Sequence, residues 1–134
     1  MTKELNKIYK KFPNQDKCLA ILELVWWNNE PKCPYCGSTY QSPLKSEHRR
    51  YHCNNCNCSY SVTVHSIFHK TKCDLQKWFY AVEILFSNQK ITARGLASEI
   101  NVTKDTALRM MAQIKKDAKK TDSPINKLSK QLIG

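Results

Sequence analysis

The chain has 134 residues, and its 22 lysines and arginines against 11 aspartates and glutamates give a formal net charge of +11. A chain of this length forms one modest domain or two very small ones, and so basic a chain makes a polyanion such as nucleic acid the first partner to consider. A lysine-rich solubilising surface is the alternative explanation. The excess charge is greatest near the end, where residues 86–134 carry ten positive and four negative side chains.

No run of 18 apolar residues is present, so the sequence predicts no membrane span. The first twelve residues, MTKELNKIYKKF, lack the apolar core of a secretory signal. We therefore expect a cytoplasmic, nucleoid-associated protein, or a nuclear one in a eukaryotic host. Disulfides are rare in these compartments, and the odd number of cysteines, seven, also argues against a closed disulfide framework.

The first 30 residues predict an amphipathic helix that starts after Pro13 and Asn14 and ends at Asn28, Asn29 and Pro31. Its apolar residues recur at helical spacing. They are Cys18, Ile21, Leu22, Val25 and Trp26.

A half-buried strand is predicted in SYSVTV, residues 59–64, with Tyr60, Val62 and Val64 on one face. A helix capped by Asp74 is expected to follow. Its apolar stripe consists of Leu75, Trp78, Phe79, Val82, Leu85 and Phe86. The last residues, 121–134, are weakly patterned, and we expect a mobile tail or linker there.

Four cysteines form two pairs, Cys33-x2-Cys36 and Cys53-x2-Cys56, separated by sixteen residues. This spacing is typical of a structural zinc site, because each CxxC turn aims two sulfurs at one point and four thiolates complete a tetrahedron. Gly37 suits the positive φ of such a turn. Four protein ligands leave no open position for water, so one structural Zn²⁺ is predicted rather than a catalytic one. A redox pair would not need two copies, and the expected compartment disfavours two disulfides.

Cys58 complicates this assignment because it follows Cys56 by only two residues. It could replace Cys56 in a shifted register, although Cys53-x4-Cys58 is a poor knuckle, and a bystander thiol is the other interpretation. His52 adjoins Cys53 but a fifth ligand is not needed. The remaining histidines, which are His48, His65 and His69, are expected to be surface or packing residues.

A basic loop, LKSEHRRYHC, lies between the two cysteine pairs. Its cations, Lys45, Arg49 and Arg50, have side chains long enough to reach phosphates. A solvated hairpin tip explains them equally well.

The segment TARGLASEINVTKDTALRMMAQIKK, residues 92–116, has the proportions of a helix-turn-helix. Thr92 is expected to cap the first helix, Asn101 to take the left-handed turn conformation and Thr103 to cap the second helix. The predicted inward residues are Leu96, Ala97, Ile100, Ala107, Leu108, Met111 and Ile114. A plain antiparallel helix pair is the alternative.

In a DNA-binding helix-turn-helix, the start of the second helix lies in the major groove. The expected base or phosphate contacts are therefore Lys104, Asp105, Thr106 and Arg109, followed by phosphate contacts from Lys115, Lys116, Lys119 and Lys120.

The order of these elements resembles the N-terminal region of ISXO-type zinc-ribbon insertion-sequence (DDE) transposases. The landmarks are CPYCGS, YHCNNCNCSYSVTVHSIFHKTKCDLQKWFYAVEIL and GLASEINVTKDTALRMMAQIKK, within residues 12–118. In the family the second knuckle is followed by F-S-V-T, where this chain has Tyr60-Ser61-Val62-Thr63. The resemblance implies zinc ligation by the four paired cysteines, a variable position at Cys58 and a helix-turn-helix.

Members of that family continue into an RNase-H-like domain with acidic residues that hold metal ions for strand cleavage. The sequence ends at Gly134 and offers no such acidic set. The resemblance therefore implies recognition of transposon ends in double-stranded DNA, with no catalytic residue and no small-molecule substrate. A fragment and a truncated stand-alone regulator are both compatible with this.

We thus expect a small α+β fold: an N-terminal helix (1–30), a zinc ribbon of β-hairpins on a four-cysteine zinc site (31–70), a helix-turn-helix region (71–120) and a tail (121–134). A second hypothesis is an adaptor that binds a full-length transposase, another copy of itself or other machinery through the ribbon. For that hypothesis, exposed aromatic side chains are expected among Trp26, Trp27, Trp78, Phe79 and Tyr80. An enzyme is disfavoured for want of an acid–base constellation.

Overall fold

The computed structural model describes residues 3–46, 49–64, 66–69, 74–87, 90–120 and 124–133. These residues form a small α+β fold of helices and one short antiparallel sheet, as the sequence predicts. The elements are α1 (Lys3–Lys11), α2 (Gln15–Trp27), β1 (Gln41–Pro43), β2 (Tyr51–Cys53), β3 (Ser59–Tyr60), α3 (Leu75–Phe86), α4 (Ala93–Ile100), α5 (Lys104–Ala118) and α6 (Pro124–Ile133).

The predicted N-terminal helix is α2, and its ends follow from capping. The side chain of Asn14 accepts a hydrogen bond from the Lys17 amide at the start, and Asn28 takes the left-handed conformation at the end. The preceding helix α1 was not predicted. It buries Leu5 and Ile8, with Phe12 directly after it, a spacing of three and four residues that places all three on one face.

The sheet has the strand order β1-β2-β3, and both pairs are antiparallel. Gln41 pairs with Cys53 in one ladder, and Tyr51 pairs with Tyr60 in the other. The predicted strand over residues 59–64 is too long, because β3 spans only Ser59–Tyr60 and a turn follows. Tyr60 and Val62 are buried as the alternation predicts, but Ser61 is buried too and Val64 is only half-buried.

Helix α3 is surrounded by other elements and is buried on more than the predicted stripe. Four of the six predicted residues are buried, whereas Leu85 and Phe86 are only half-buried. The helix also buries Gln76, Tyr80, Ala81 and Ile84. The Gln76 amide donates to the carbonyl of Phe12, 3.0 Å away. Asp74 stands at the N-cap position, but its carboxylate makes no capping bond and accepts instead from the Tyr9 hydroxyl at 3.2 Å.

Aromatic rings connect the helices with the ribbon. Trp26 stacks on Phe68, and Phe68 meets Trp78 edge to face at 5.3 Å. On the ribbon side, Trp27 packs against both Tyr51 and Tyr60 at 5.8–5.9 Å between ring centroids. The expectation of exposed aromatic side chains is therefore wrong for this set: Trp78, Phe79 and Tyr80 are buried, and Trp26 and Trp27 are half-buried.

The expectation of a mobile tail is also wrong for the described part of that segment. Residues Pro124–Ile133 form α6, in which Ile125 and Leu128 are buried against α2, α3 and α5. The Asn126 amide also donates to the carbonyls of Ala118 and Lys120 at the end of α5. Packing of two apolar residues therefore orders a segment with little local pattern.

Among the described residues, no helix is both long enough and apolar enough to cross a bilayer.

Candidate metal centre and nucleic-acid interface

The two CxxC segments form two similar tight turns. In the first, the Gly37 amide donates to the carbonyl of Cys33 at 2.9 Å, and Gly37 has φ +79° as predicted. In the second, the Asn57 amide donates to the carbonyl of Cys53 at 2.9 Å, and Asn57 has φ 62°. Asparagine tolerates this conformation better than most residues, so Asn57 supplies in the second turn what glycine supplies in the first.

The turns bring the four predicted sulfurs together. The Sγ atoms of Cys33, Cys36, Cys53 and Cys56 all lie within 4.8 Å of one another. The pairs that join the two turns are close, with 3.6 Å between Cys33 and Cys56 and 3.5 Å between Cys36 and Cys53. Tetrahedral ligands with Zn–S bonds of about 2.3 Å have sulfurs about 3.8 Å apart. The four cysteines therefore fit one structural Zn²⁺, as the sequence predicts.

The thiols of this cluster differ in how readily they lose their protons. The Asn55 amide donates to Cys36 Sγ, and this bond, with one from the Ser38 amide, lowers the pKa of the Cys36 thiol to about 6. A backbone bond at Cys58 lowers the pKa of Cys56, but desolvation and bonds with the neighbouring thiols outweigh it, so that pKa is raised. Zinc binds thiolates, so it would displace the remaining protons.

Cys58 lies outside the sulfur cluster. Its side chain is exposed, and its Sγ lies 3.8 Å from the carbonyl oxygen of Cys56. His52 is half-buried on β2 and is not among the clustered groups, while His69 is exposed. His48 and His65 lie outside the described residues.

A charged network fastens the basic loop to α2. The Arg49 guanidinium contacts Asp16 at 2.6 Å and Glu23 at 2.9 Å. The Tyr51 hydroxyl donates to the other oxygen of Glu23 at 2.9 Å, and burial together with this bond raises the pKa of Tyr51 to about 12. Arg49, a predicted phosphate contact, is therefore held by two carboxylates. Arg50 is half-buried and Lys45 is exposed.

Helices α4 and α5 are joined by the turn that the sequence predicts. Thr92 caps α4 by accepting from the Gly95 amide at 3.0 Å, and Thr103 caps α5 by accepting from the Thr106 amide at 3.2 Å. Asn101 between them has φ 57° and ψ 55°. On the other side of α4, the Tyr80 hydroxyl of α3 donates to Glu99 at 2.6 Å. Side chains thus fix both the turn and the position of α4.

The buried side of α5 differs from the prediction at one residue. Ala107, Met111 and Ile114 are buried as expected, together with Met110. Leu108 was expected inside, but 47 % of it is exposed. A helix turns by roughly 100° per residue, which puts Met110 rather than Leu108 beside Ala107 and Ile114.

Most of the predicted DNA contacts lie on the exposed side of α5. Lys104, Asp105, Arg109, Lys115 and Lys116 are all exposed. Thr106 is only half-buried, but its amide and hydroxyl both bond to Thr103 in the cap. The structure therefore places the five charged residues on an accessible surface and commits Thr106 to the start of the helix.

Comparison with known families adds a match to part of this arrangement. Residues 13–60 match the family model described as "Transposase zinc-ribbon domain", of the IS1595 type. The match includes α2, the sheet and all four clustered cysteines, and it ends before α3. No curated protein and no solved structure matches the chain. Residues 13–60 are therefore similar to transposase zinc ribbons, while the α4–α5 pair lies outside the matched residues.

Proposed function

We propose that this chain is the DNA-recognition part of a transposase-like protein and that it binds duplex DNA, such as the ends of a mobile element, through α5. The match of residues 13–60 to a transposase zinc ribbon supports the biological context. The observation that carries the proposal is the accessible basic side of α5, next to a capped turn of helix-turn-helix proportions.

The exposed side of α5 suits a polyanion. Lys104 and Arg109 lie in its first two turns, and Lys115 and Lys116 lie in its last turn. Lysine and arginine neutralise phosphates, and arginine also pairs with guanine in the major groove. Asp105 is the acidic residue in the first turn, and a carboxylate there can accept from cytosine N4. Such a face can provide both sequence-independent affinity for DNA and recognition of individual bases.

The zinc ribbon has a supporting role in this proposal. Because Arg49 is held by Asp16 and Glu23, its charge serves to fix the loop to α2. Lys45, which is exposed, is then the loop residue that we assign to a phosphate contact beside the groove. The proposal assigns DNA recognition, and no step of strand cleavage, to these residues.

A fluorescence-anisotropy titration of a duplex library at rising salt tests the proposal. We expect tight binding at low salt that weakens steeply, because phosphate contacts release counterions. Arg109→Ala should lose roughly 1–3 kcal/mol and relax sequence preference, whereas Lys119→Ala at the end of α5 should weaken all duplexes alike. Failure of the zinc-loaded chain to bind any duplex at low salt would sink the proposal.

A second candidate function, a protein adaptor, is favoured by two exposed tyrosines of the ribbon. Tyr35 in the first knuckle is 53 % exposed, and Tyr40 before β1 is 70 % exposed. Aromatic residues are enriched at protein interfaces. Purification at high salt with nuclease tests this function: a partner that stays with the wild type and is lost from Tyr40→Ala would support it, and no partner at all would count against it.

A further inference from the structure

Leu108 is an apolar side chain on the surface of α5. Its exposed fraction is 47 %, although the same helix buries four apolar residues around it in sequence. An exposed leucine alone needs no explanation. The surroundings of this one do, because the neighbouring exposed side chains are mostly cationic.

Helical geometry places Leu108 in the middle of the basic side. At roughly 100° per residue, Lys104, Lys115 and Lys119 lie within about 40° of Leu108 around the axis, and Arg109 and Lys116 lie within about 100°. All five of these cations are exposed, as is Asp105, which lies about 60° from Leu108 and adds one carboxylate to this face. Lys104 is one turn before Leu108, and Ala112, which is small and exposed, is one turn after it.

The charges decide what can cover this leucine. A second copy of α5 would bring two strongly basic faces together, which like-charge repulsion opposes. Duplex DNA is complementary to the face, and its major groove presents one apolar group, the C5 methyl of thymine. Leucine cannot bind a phosphate, but it can shield that methyl group from water.

We infer that Leu108 is a specificity-determining residue that contacts the C5 methyl of a thymine in the major groove. This inference rests on the proposed function, since it requires α5 to bind duplex DNA. It adds a sequence preference that the charged residues do not supply. The lysines hold the helix on the DNA phosphate backbone, and Leu108 favours sites with thymine opposite the second turn of α5.

The test removes the methyl group from the DNA and the leucine from the protein. Duplexes selected from a random pool by the zinc-loaded full chain are remade with each thymine replaced in turn by deoxyuridine, which lacks only the methyl group. At one thymine position we expect the wild type to bind roughly fourfold more weakly after replacement, the value of burying about one methyl group. Leu108→Ala should lose a similar factor on the thymine duplex and nothing more on the deoxyuridine duplex.

Leu24→Ala is the matched control, because Leu24 is similarly exposed at 42 % but lies on α2. We expect it to keep the full response to deoxyuridine. Circular dichroism checks that both variants keep their helices. If Leu108→Ala responds to deoxyuridine as strongly as the wild type, or if no thymine matters, the inference is overturned while DNA binding stands. If no duplex binds at all, both the inference and the proposed function fail.

Discussion

The ribbon and the helical region are held together by different means. The ribbon has three strands of two or three residues, and its buried cluster consists of Cys33, Cys53 and Tyr60. The helical region has a core of more than twenty buried side chains, to which every helix from α1 to α6 contributes. Apolar burial can therefore stabilise the helices, whereas the ribbon has too little apolar surface and depends on its four thiolates. In the ribbon, bound zinc therefore takes the place of an apolar core as the source of stability.

The two regions meet mainly at α2, and Phe68 also packs against Trp78 of α3. Trp27 packs on Tyr51 and Tyr60, and Glu23 accepts hydrogen bonds from both Arg49 and Tyr51. These contacts fix the position of the ribbon relative to the helices. The two regions thus have separate sources of stability and are joined mainly at α2, and three predictions follow from this.

Removal of zinc should have the largest effect, and it should unfold the ribbon while the helical region stays folded. Structural zinc contributes about 10–16 kcal/mol in zinc-finger peptides, so a strong chelator or Cys53→Ser should unfold the ribbon. We expect the signals of residues 33–60 in a heteronuclear NMR spectrum to collapse while those of α3, α4 and α5 remain dispersed. Cys58→Ser is the control and should keep one zinc per chain. Simultaneous collapse of the helical signals would contradict the division.

Truncation of Leu128 should be next in size and should affect the helical region. This side chain of α6 is fully buried, so Leu128→Ala should lower the free energy of unfolding by about 3 kcal/mol. Urea denaturation at saturating zinc measures it. Leu24→Ala, at an exposed position, should change stability by less than about 0.5 kcal/mol. Equal effects of the two substitutions would show that α6 does not complete the core.

Neutralising Glu23 should have a smaller effect, at the junction itself. Glu23 is 6 % exposed and accepts from a guanidinium and a phenol, so Glu23→Gln should cost about 2 kcal/mol because hydrogen bonds to charged groups are lost. Asp16→Asn, at the more exposed end of the network, should cost under about 1 kcal/mol. Urea denaturation of both variants, with zinc present, measures this difference. A larger loss of stability from Asp16→Asn than from Glu23→Gln would show that Asp16, and not Glu23, is the main contact of the junction.

The sequence was sufficient to predict features that depend on residues close together along the chain. The spacing of Cys33, Cys36, Cys53 and Cys56 identified the sulfur cluster. Thr92, Asn101 and Thr103 marked the ends of α4 and α5 because caps and left-handed turns are local chemistry. The turn at Asn57 was missed, although an asparagine directly after the second cysteine pair was the available signal.

Features that depend on distant residues were not predictable. Nothing near Arg49 indicates that Asp16 and Glu23, some thirty residues earlier, would neutralise it. Helix α6 forms because Ile125 and Leu128 find a surface on other helices, and Leu108 is exposed because Met110 takes the inner position. In each case contacts between distant parts of the chain determined the structure, and the local sequence pattern allowed more than one outcome.

Hydrogen–deuterium exchange with and without a bound duplex tests the central claim, that α5 and not the ribbon supplies the main DNA contact. The first amides of a helix lack partners within it and exchange quickly. We predict that duplex binding at low salt slows exchange in peptides covering residues 103–109, with smaller changes at residues 44–50. Protection confined to the ribbon, or protection nowhere along α5, would contradict the account.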